Sequence, residues 1–91
     1  MFYYISGELA LTDSNTAVID AGGIGYKLNV SGNTLGKLAS DGEGSRVRLY
    51  TYMSVREDAI ELFGFYTKEE LAAFKLLISV SGVGAKSAMS V

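Results

Sequence analysis

The chain has 91 residues, 48% of them hydrophobic, a formal net charge of −2, and neither cysteine nor histidine. That excludes a disulfide framework, a Cys/His zinc site, a thiol nucleophile and a Ser-His-Asp triad. It also argues against gripping nucleic acid with the whole surface, while leaving room for a small basic patch or for backbone amides.

A chain this short forms one domain, or one small domain with an appendage, and buries only a little over ~60% of its unfolded surface. Residues 1–13, MFYYISGELALTD, have no basic region and carry Glu8. They read as neither a signal peptide nor a membrane span, and an intracellular, cytoplasmic protein is expected.

Three strands are predicted first, over residues 2–12, Thr16–Ala21 and 25–30. Asp13-Ser14-Asn15 supplies the first hairpin turn and Gly22-Gly23-Ile24-Gly25 the second, where φ > 0 is needed. A short helix over residues 34–39 precedes the polar loop at 40–44. Residues 45–56, SRVRLYTYMSVR, then carry the clearest period of two. Val47, Leu49, Thr51, Met53 and Val55 share one face; Arg46, Arg48, Tyr50, Tyr52 and Arg56 lie on the other. A strand that long is typical of one that coils around a small barrel. With Ile60–Phe65 as a fifth strand, residues 1–66 are expected to form a five-stranded, partly open barrel of the OB type.

At Thr67 the pattern becomes helical. Thr67-Lys68-Glu69-Glu70 has the spacing of a capping box, in which the threonine caps the helix and Glu70 reaches back. The helix runs to residue 79 with a wide apolar stripe, which predicts burial against both the barrel and another helix. Residues 85–91 are the candidate partner; seven residues span only ~10 Å as a helix, so this second helix looks cut short. The fold class is mainly β with C-terminal α, and residues 67–91 form a truncated pair of helices.

Gly82-Val83-Gly84 lies between those helices. A phosphate-binding P-loop would need glycine where Ala85 stands and a strand where a helix precedes it. A dinucleotide fingerprint fails on the same context. Two readings stay open. One is a tight interhelical turn with glycine as the helix C-cap and no ligand. The other is a DNA-binding helix–hairpin–helix. There the amides of Gly82, Val83 and Gly84 meet a phosphate at the N-terminus of the second helix, with Lys86 and Ser87 beside it. Glu57-Asp58, between two apolar strands, reads on local grounds as a solvated loop.

Six motifs in order carry a resemblance that runs nearly end to end. They are M-x-x-x-x-x-G-x-L at the start, D-x-G-G-I-G-Y (20–26), V-R-E-D-A (55–59), L-F-G-F (62–65), F-K-x-L-I (74–78) and G-V-G-x-K (82–86). Together they resemble the N-terminal part of the RuvA family, the bacterial subunit that binds Holliday junctions for branch migration.

The resemblance implies an OB barrel followed by helix–hairpin–helix units, assembled as a homotetramer around four-way junction DNA in recombination, repair and the SOS response. It implies no cofactor and no bond chemistry, the motor ATPase being a separate subunit. It also implies that Glu57 and Asp58 are an acidic pin at the junction centre. Ala85 stands where the family commonly has proline, and the first strand lacks a basic residue often found there. Family members are about twice as long, with a second hairpin and a motor-docking domain, so the sequence reads as an N-terminal fragment.

Two rival functions remain on the residues alone. Arg46, Arg48, Tyr50, Tyr52 and Arg56 interleave charge with stacking surface, as a single-strand-binding OB module requires. The same face would equally serve assembly, with two of its tyrosines packed beneath the helix or in a subunit interface. A purely structural oligomerisation domain is the other alternative.

Overall fold

A computed structural model of the chain describes residues 2–80 together with Gly84 and Met89. Five strands, β1 (Tyr4–Thr12), β2 (Thr16–Ala21), β3 (Ile24–Val30), β4 (Arg46–Val55) and β5 (Ile60–Phe65), close into a barrel in the order β1-β2-β3-β5-β4. Helix α1 (Gly32–Asp41) connects β3 to β4, and α2 (Lys68–Val80) follows β5. The strand order is consistent with the expected OB barrel, but the barrel is closed rather than partly open. Antiparallel pairing of β1 with β4 runs from Tyr4–Tyr50 to Glu8–Arg46, and β3 meets β5 in parallel at Asn29–Phe63 and Val30–Gly64. A register shift between Leu9 and Leu11 adds one residue to β1 against β2. Such a bulge bends the strand, which lets β1 serve two neighbours.

The turns follow from local chemistry. Asp13 N donates to the Thr16 carbonyl at 2.8 Å and closes the first hairpin. The second turn is tighter than expected, because only Gly22 (φ 65°) and Gly23 (φ 89°) are left-handed. Two adjacent positive φ values suit a two-residue hairpin, and the Asp20 carboxylate accepts from Gly23 N at 3.0 Å. Ile24 is thereby freed to start β3 opposite Ala21. Helix α1 begins before residue 34 because Ser31 caps it, its Oγ accepting from Thr34 N at 3.1 Å.

Two apolar layers result. Leu9, Ile19, Leu28 and Leu49 fill the barrel, and Phe63, Phe65, Leu71 and Phe74 form a second cluster between its outer wall and α2. Strand β5 feeds both. Phe63 and Phe65 face outward to Phe74, with ring centroids 5.7 and 4.8 Å away. Gly64 faces inward, where an added Cβ would stand 3.0 Å from Leu28 Cδ2 and Leu49 Cδ1.

The capping of α2 follows the expectation and adds contacts to α1. Glu70 N donates to Thr67 Oγ1 at 3.2 Å. The Glu70 carboxylate reaches back to the cap through the Thr67 hydroxyl, Oε1 accepting from Thr67 Oγ1 at 3.5 Å. It also meets α1, accepting from Asn33 Nδ2 at 3.0 Å and lying 3.9 Å from Lys37 Nζ. The two carboxylate oxygens have acceptor sites enough for the cap hydroxyl, an amide donor and a cation, so the box doubles as a tie between helices. A second tie joins the other end of α1 to the segment before α2: Tyr66 Oη donates to Asp41 Oδ2 at 2.9 Å. That bond holds the Tyr66 phenol above its usual pKa range.

The expected two-sided burial of α2 is met on one side. Leu71 and Phe74 are buried and Leu77 and Ile78 half-buried, whereas Leu76 is 62% exposed. The helix expected to cover that side, residues 85–91, lies outside the described residues apart from Met89, which packs against the second cluster.

Gly7 is the tightest point in the barrel wall. A Cβ there would overlap the Asp20 carbonyl oxygen and stand 2.9 Å from Ile19 Cγ2. Because backbone on the neighbouring strand cannot step aside as a side chain can, Gly7→Ala should cost at least the ~1–3 kcal/mol typical of overpacking. The urea midpoint checks this; an unchanged midpoint would mean that the two strands separate freely at this point.

Candidate nucleic-acid interface

Strand β4 divides into two stretches of different fate. From Arg46 to Tyr50 it pairs with β1, and Val47, Leu49 and Thr51 are buried inside the barrel. Beyond Tyr52–Phe63 the β4–β5 pairs continue through Met53–Leu62, Ser54–Glu61 and Val55–Ile60 with no third strand alongside. Val55 and Ile60 are 65% and 70% exposed although they face each other across the pair. Leu62 still holds to the barrel, its side chain against the core and its carbonyl accepting from Asn29 Nδ2 at 3.1 Å, so only the Val55–Ile60 pair and the turn beyond it project as a short ribbon.

Glu57 and Asp58 occupy its tip, both exposed, in a turn closed by Arg56 N donating to the Ala59 carbonyl at 2.8 Å. Arg56 does not neutralise them. Its Nη2 donates to Glu61 Oε1 at 2.9 Å, across the ribbon. Neither tip carboxylate makes a side-chain hydrogen bond or ion pair among the described residues. Two uncompensated negative charges are therefore presented at the end of a projecting arm.

The face carrying Arg46, Arg48, Tyr50 and Tyr52 changes character along its length. Arg46 and Arg48 are exposed beside Glu8 and Ser6 of β1, and Arg48 Nε donates to Ser6 Oγ at 3.0 Å while its guanidinium lies 4.2 Å from the Tyr4 ring centroid. Tyr50 is half-buried against Tyr3 and Tyr4, at 5.4 and 6.0 Å. Tyr52 sits beneath α2, 5.3 Å from Phe74. The same alternation thus gives an open arginine end and an aromatic end engaged by the helix. Arg56, at the end of the ribbon, is turned to Glu61.

Of the residues assigned to phosphate contact, Gly82, Val83, Lys86 and Ser87 lie outside the described residues. Gly84 is exposed, and nothing lies within 4 Å of where its Cβ would be.

Three of the six sequence motifs now have structural explanations. Gly7 and Gly64 mark close approaches, and Asp20-Ala21-Gly22-Gly23 is a turn with its own side-chain cap. Residues 1–64 match the family model described as RuvA N terminal domain.

The chain belongs to the RuvA family.

Relatives carrying the name "Holliday junction branch migration complex subunit RuvA" agree with that placement. The Lachnospira eligens protein is 48% identical over 89 residues, covering 98% of this chain and 42% of that protein. The Chlorobaculum tepidum protein is 48% identical and the Acetivibrio thermocellus protein 46% identical, each over all of this chain and 44% of the relative. The chain thus spans less than half the length of the RuvA relatives it matches. Sequence reasoning missed Tyr3 and Tyr4, whose exposed rings adjoin the RuvA barrel's arginine face. The signal was present as an aromatic run, Phe2-Tyr3-Tyr4, at the edge of an otherwise alternating strand.

Proposed function

We propose that the chain binds four-way junction DNA as the N-terminal part of a RuvA-type subunit, in recombination and repair, with no bond chemistry of its own. The observation that carries this reading is the pair of uncompensated carboxylates, Glu57 and Asp58, at the tip of a projecting hairpin in a chain of this family. Negative charge on a projecting arm is unsuited to gripping a phosphate backbone. It is suited to entering the opening between strands at a crossover, where it repels phosphates that close in.

The grip itself falls to residues 67–91 as a first helix–hairpin–helix. In this reading the amides of Gly82, Val83 and Gly84 meet a phosphate, Lys86 adds charge and Ser87 donates, as at helix N-termini generally. Assembly as a homotetramer, action beside a separate motor ATPase and a cytoplasmic location belong to the same reading. Such contacts carry no base information, so little sequence preference is expected.

A competition titration at low salt tests the reading. Labelled four-way junction is displaced by unlabelled junction, linear duplex or single strand of equal nucleotide count. Junction should compete far better than either linear form. Duplex competing equally well would remove the role of the ribbon, and displacement by none of them would leave a scaffold.

A further inference from the structure

The exposed N-terminal aromatics do not simply decorate the barrel. Phe2, Tyr3, Thr51, Tyr52 and Lys75 line an open cavity of about 220 Å³ between residues 2 and 3, β4 and the middle of α2. We infer that this cavity is a binding site for one unpaired nucleotide, its base among the Phe2, Tyr3 and Tyr52 rings and its phosphate on Lys75. The site is independent of the junction reading, since it uses neither the ribbon nor residues 82–87.

Four observations support the assignment. The cavity is smaller than the ~300–1,000 Å³ of pockets that enclose a drug-sized ligand, and it suits one planar ring left partly open to solvent. Its shape is held in place. Thr51 N donates to the Tyr3 carbonyl at 2.9 Å and Thr51 Oγ1 to the Phe2 carbonyl at 2.8 Å, so residues 2 and 3 are fastened to β4. Among the described residues Lys75 is the only charged one in the lining and makes no ion pair, and it is exposed.

The fourth observation is what lies next to the cavity. Tyr3 adjoins Tyr50 and Tyr4 at 5.4 and 5.9 Å, and Arg48 lies over Tyr4. Aromatic surface followed by a guanidinium is the combination that single-stranded nucleic acid uses, bases stacking on rings while cations follow the backbone. A purely apolar ligand would gain nothing from the lysine, and a free phosphate nothing from the rings. A nucleotide uses both.

The test is binding of oligothymidylate, which does not pair with itself, to the 91-residue chain, followed by tyrosine fluorescence. Tyr3→Ala should weaken binding roughly ten- to a hundredfold, the range for losing a stacked base, and Tyr3→Phe should restore it. Lys75→Gln should weaken binding and lower the slope of log K against log salt by about 0.7. An abasic oligonucleotide of the same length should bind the original chain as weakly as thymidylate binds Tyr3→Ala. Thermal melting of each variant shows that the fold is kept; both positions are exposed, so melting should be unchanged.

The assignment is overturned if Tyr3→Ala and Lys75→Gln bind as the original does, or if the chain does not bind oligothymidylate. It is equally overturned if Tyr3→Ala instead abolishes self-association, since the cavity would then receive a second copy. Junction titration of the same variants separates this site from the ribbon. Loss of thymidylate binding with junction binding retained supports the cavity alone, and failure of junction binding leaves it untouched.

Discussion

Phe74→Ala should lower stability by about 3–5 kcal/mol, the usual cost of deleting a buried aromatic ring. Phe74 is the only α2 ring in contact with three others: Phe65 at 4.8 Å, Tyr52 at 5.3 Å and Phe63 at 5.7 Å. The barrel interior is filled by a separate cluster, so the substitution should release α2 while disturbing the barrel less. A domain of this kind has only about 5–15 kcal/mol in total, and each kcal/mol shifts the melting midpoint by roughly 4–8 °C. A fall of roughly 12–40 °C is expected by circular dichroism, with loss of helical signal preceding loss of strand signal. Leu76→Ala, on the exposed side of the same helix, should stay within about 0.5 kcal/mol. Equal effects at the two positions would mean that the aromatic cluster is not what docks the helix.

Neutralising the ribbon tip should change DNA selectivity without a comparable change in stability. A carboxylate about 6 Å from a phosphate is repelled by roughly 0.7 kcal/mol in water, so two carboxylates contribute about 1.4 kcal/mol, near tenfold in affinity. Glu57→Gln with Asp58→Asn removes that repulsion and keeps the shape of both side chains. Duplex, whose phosphates run continuously across the tip, should then bind about tenfold tighter. Four-way junction, whose strands would part at the tip in the proposed reading, should gain less, so the preference for junction shrinks. The same competition titration reads both affinities. Loss of junction binding together with unchanged duplex binding would instead make the carboxylates acceptors of hydrogen bonds from DNA. Freeing Arg56 by Glu61→Gln should move selectivity the same way, because the guanidinium could then neutralise the tip from within.

Much of this fold is legible residue by residue, for a local reason. Alternation along β4, the Asp13-Ser14-Asn15 turn, the Gly22-Gly23 turn and the Thr67 cap each depend on a few neighbours in the chain. Periodicity and left-handed φ are properties of such short windows. Three of the six ordered motifs have a related basis: they hold the glycines at two close approaches and at the β2–β3 turn.

Tertiary structure decided what each face meets. Tyr52 and Arg48 are equivalent members of one alternating face, yet α2 engages Tyr52 and leaves Arg48 open, since the end of β4 nearer the ribbon is the end the helix crosses. Glu70 ties its cap to α1 because Asn33 and Lys37 arrive from a helix more than thirty residues earlier in the chain. Gly7 and Gly64 are ordinary glycines until the barrel brings the Asp20 carbonyl and the Leu28 and Leu49 side chains against them. The free carboxylates of Glu57 and Asp58 are of the same kind. The sequence by itself determined that two acids sit between two strands; that those strands outrun the barrel, and that Arg56 turns to Glu61, depends on pairings and on distances that no local pattern encodes.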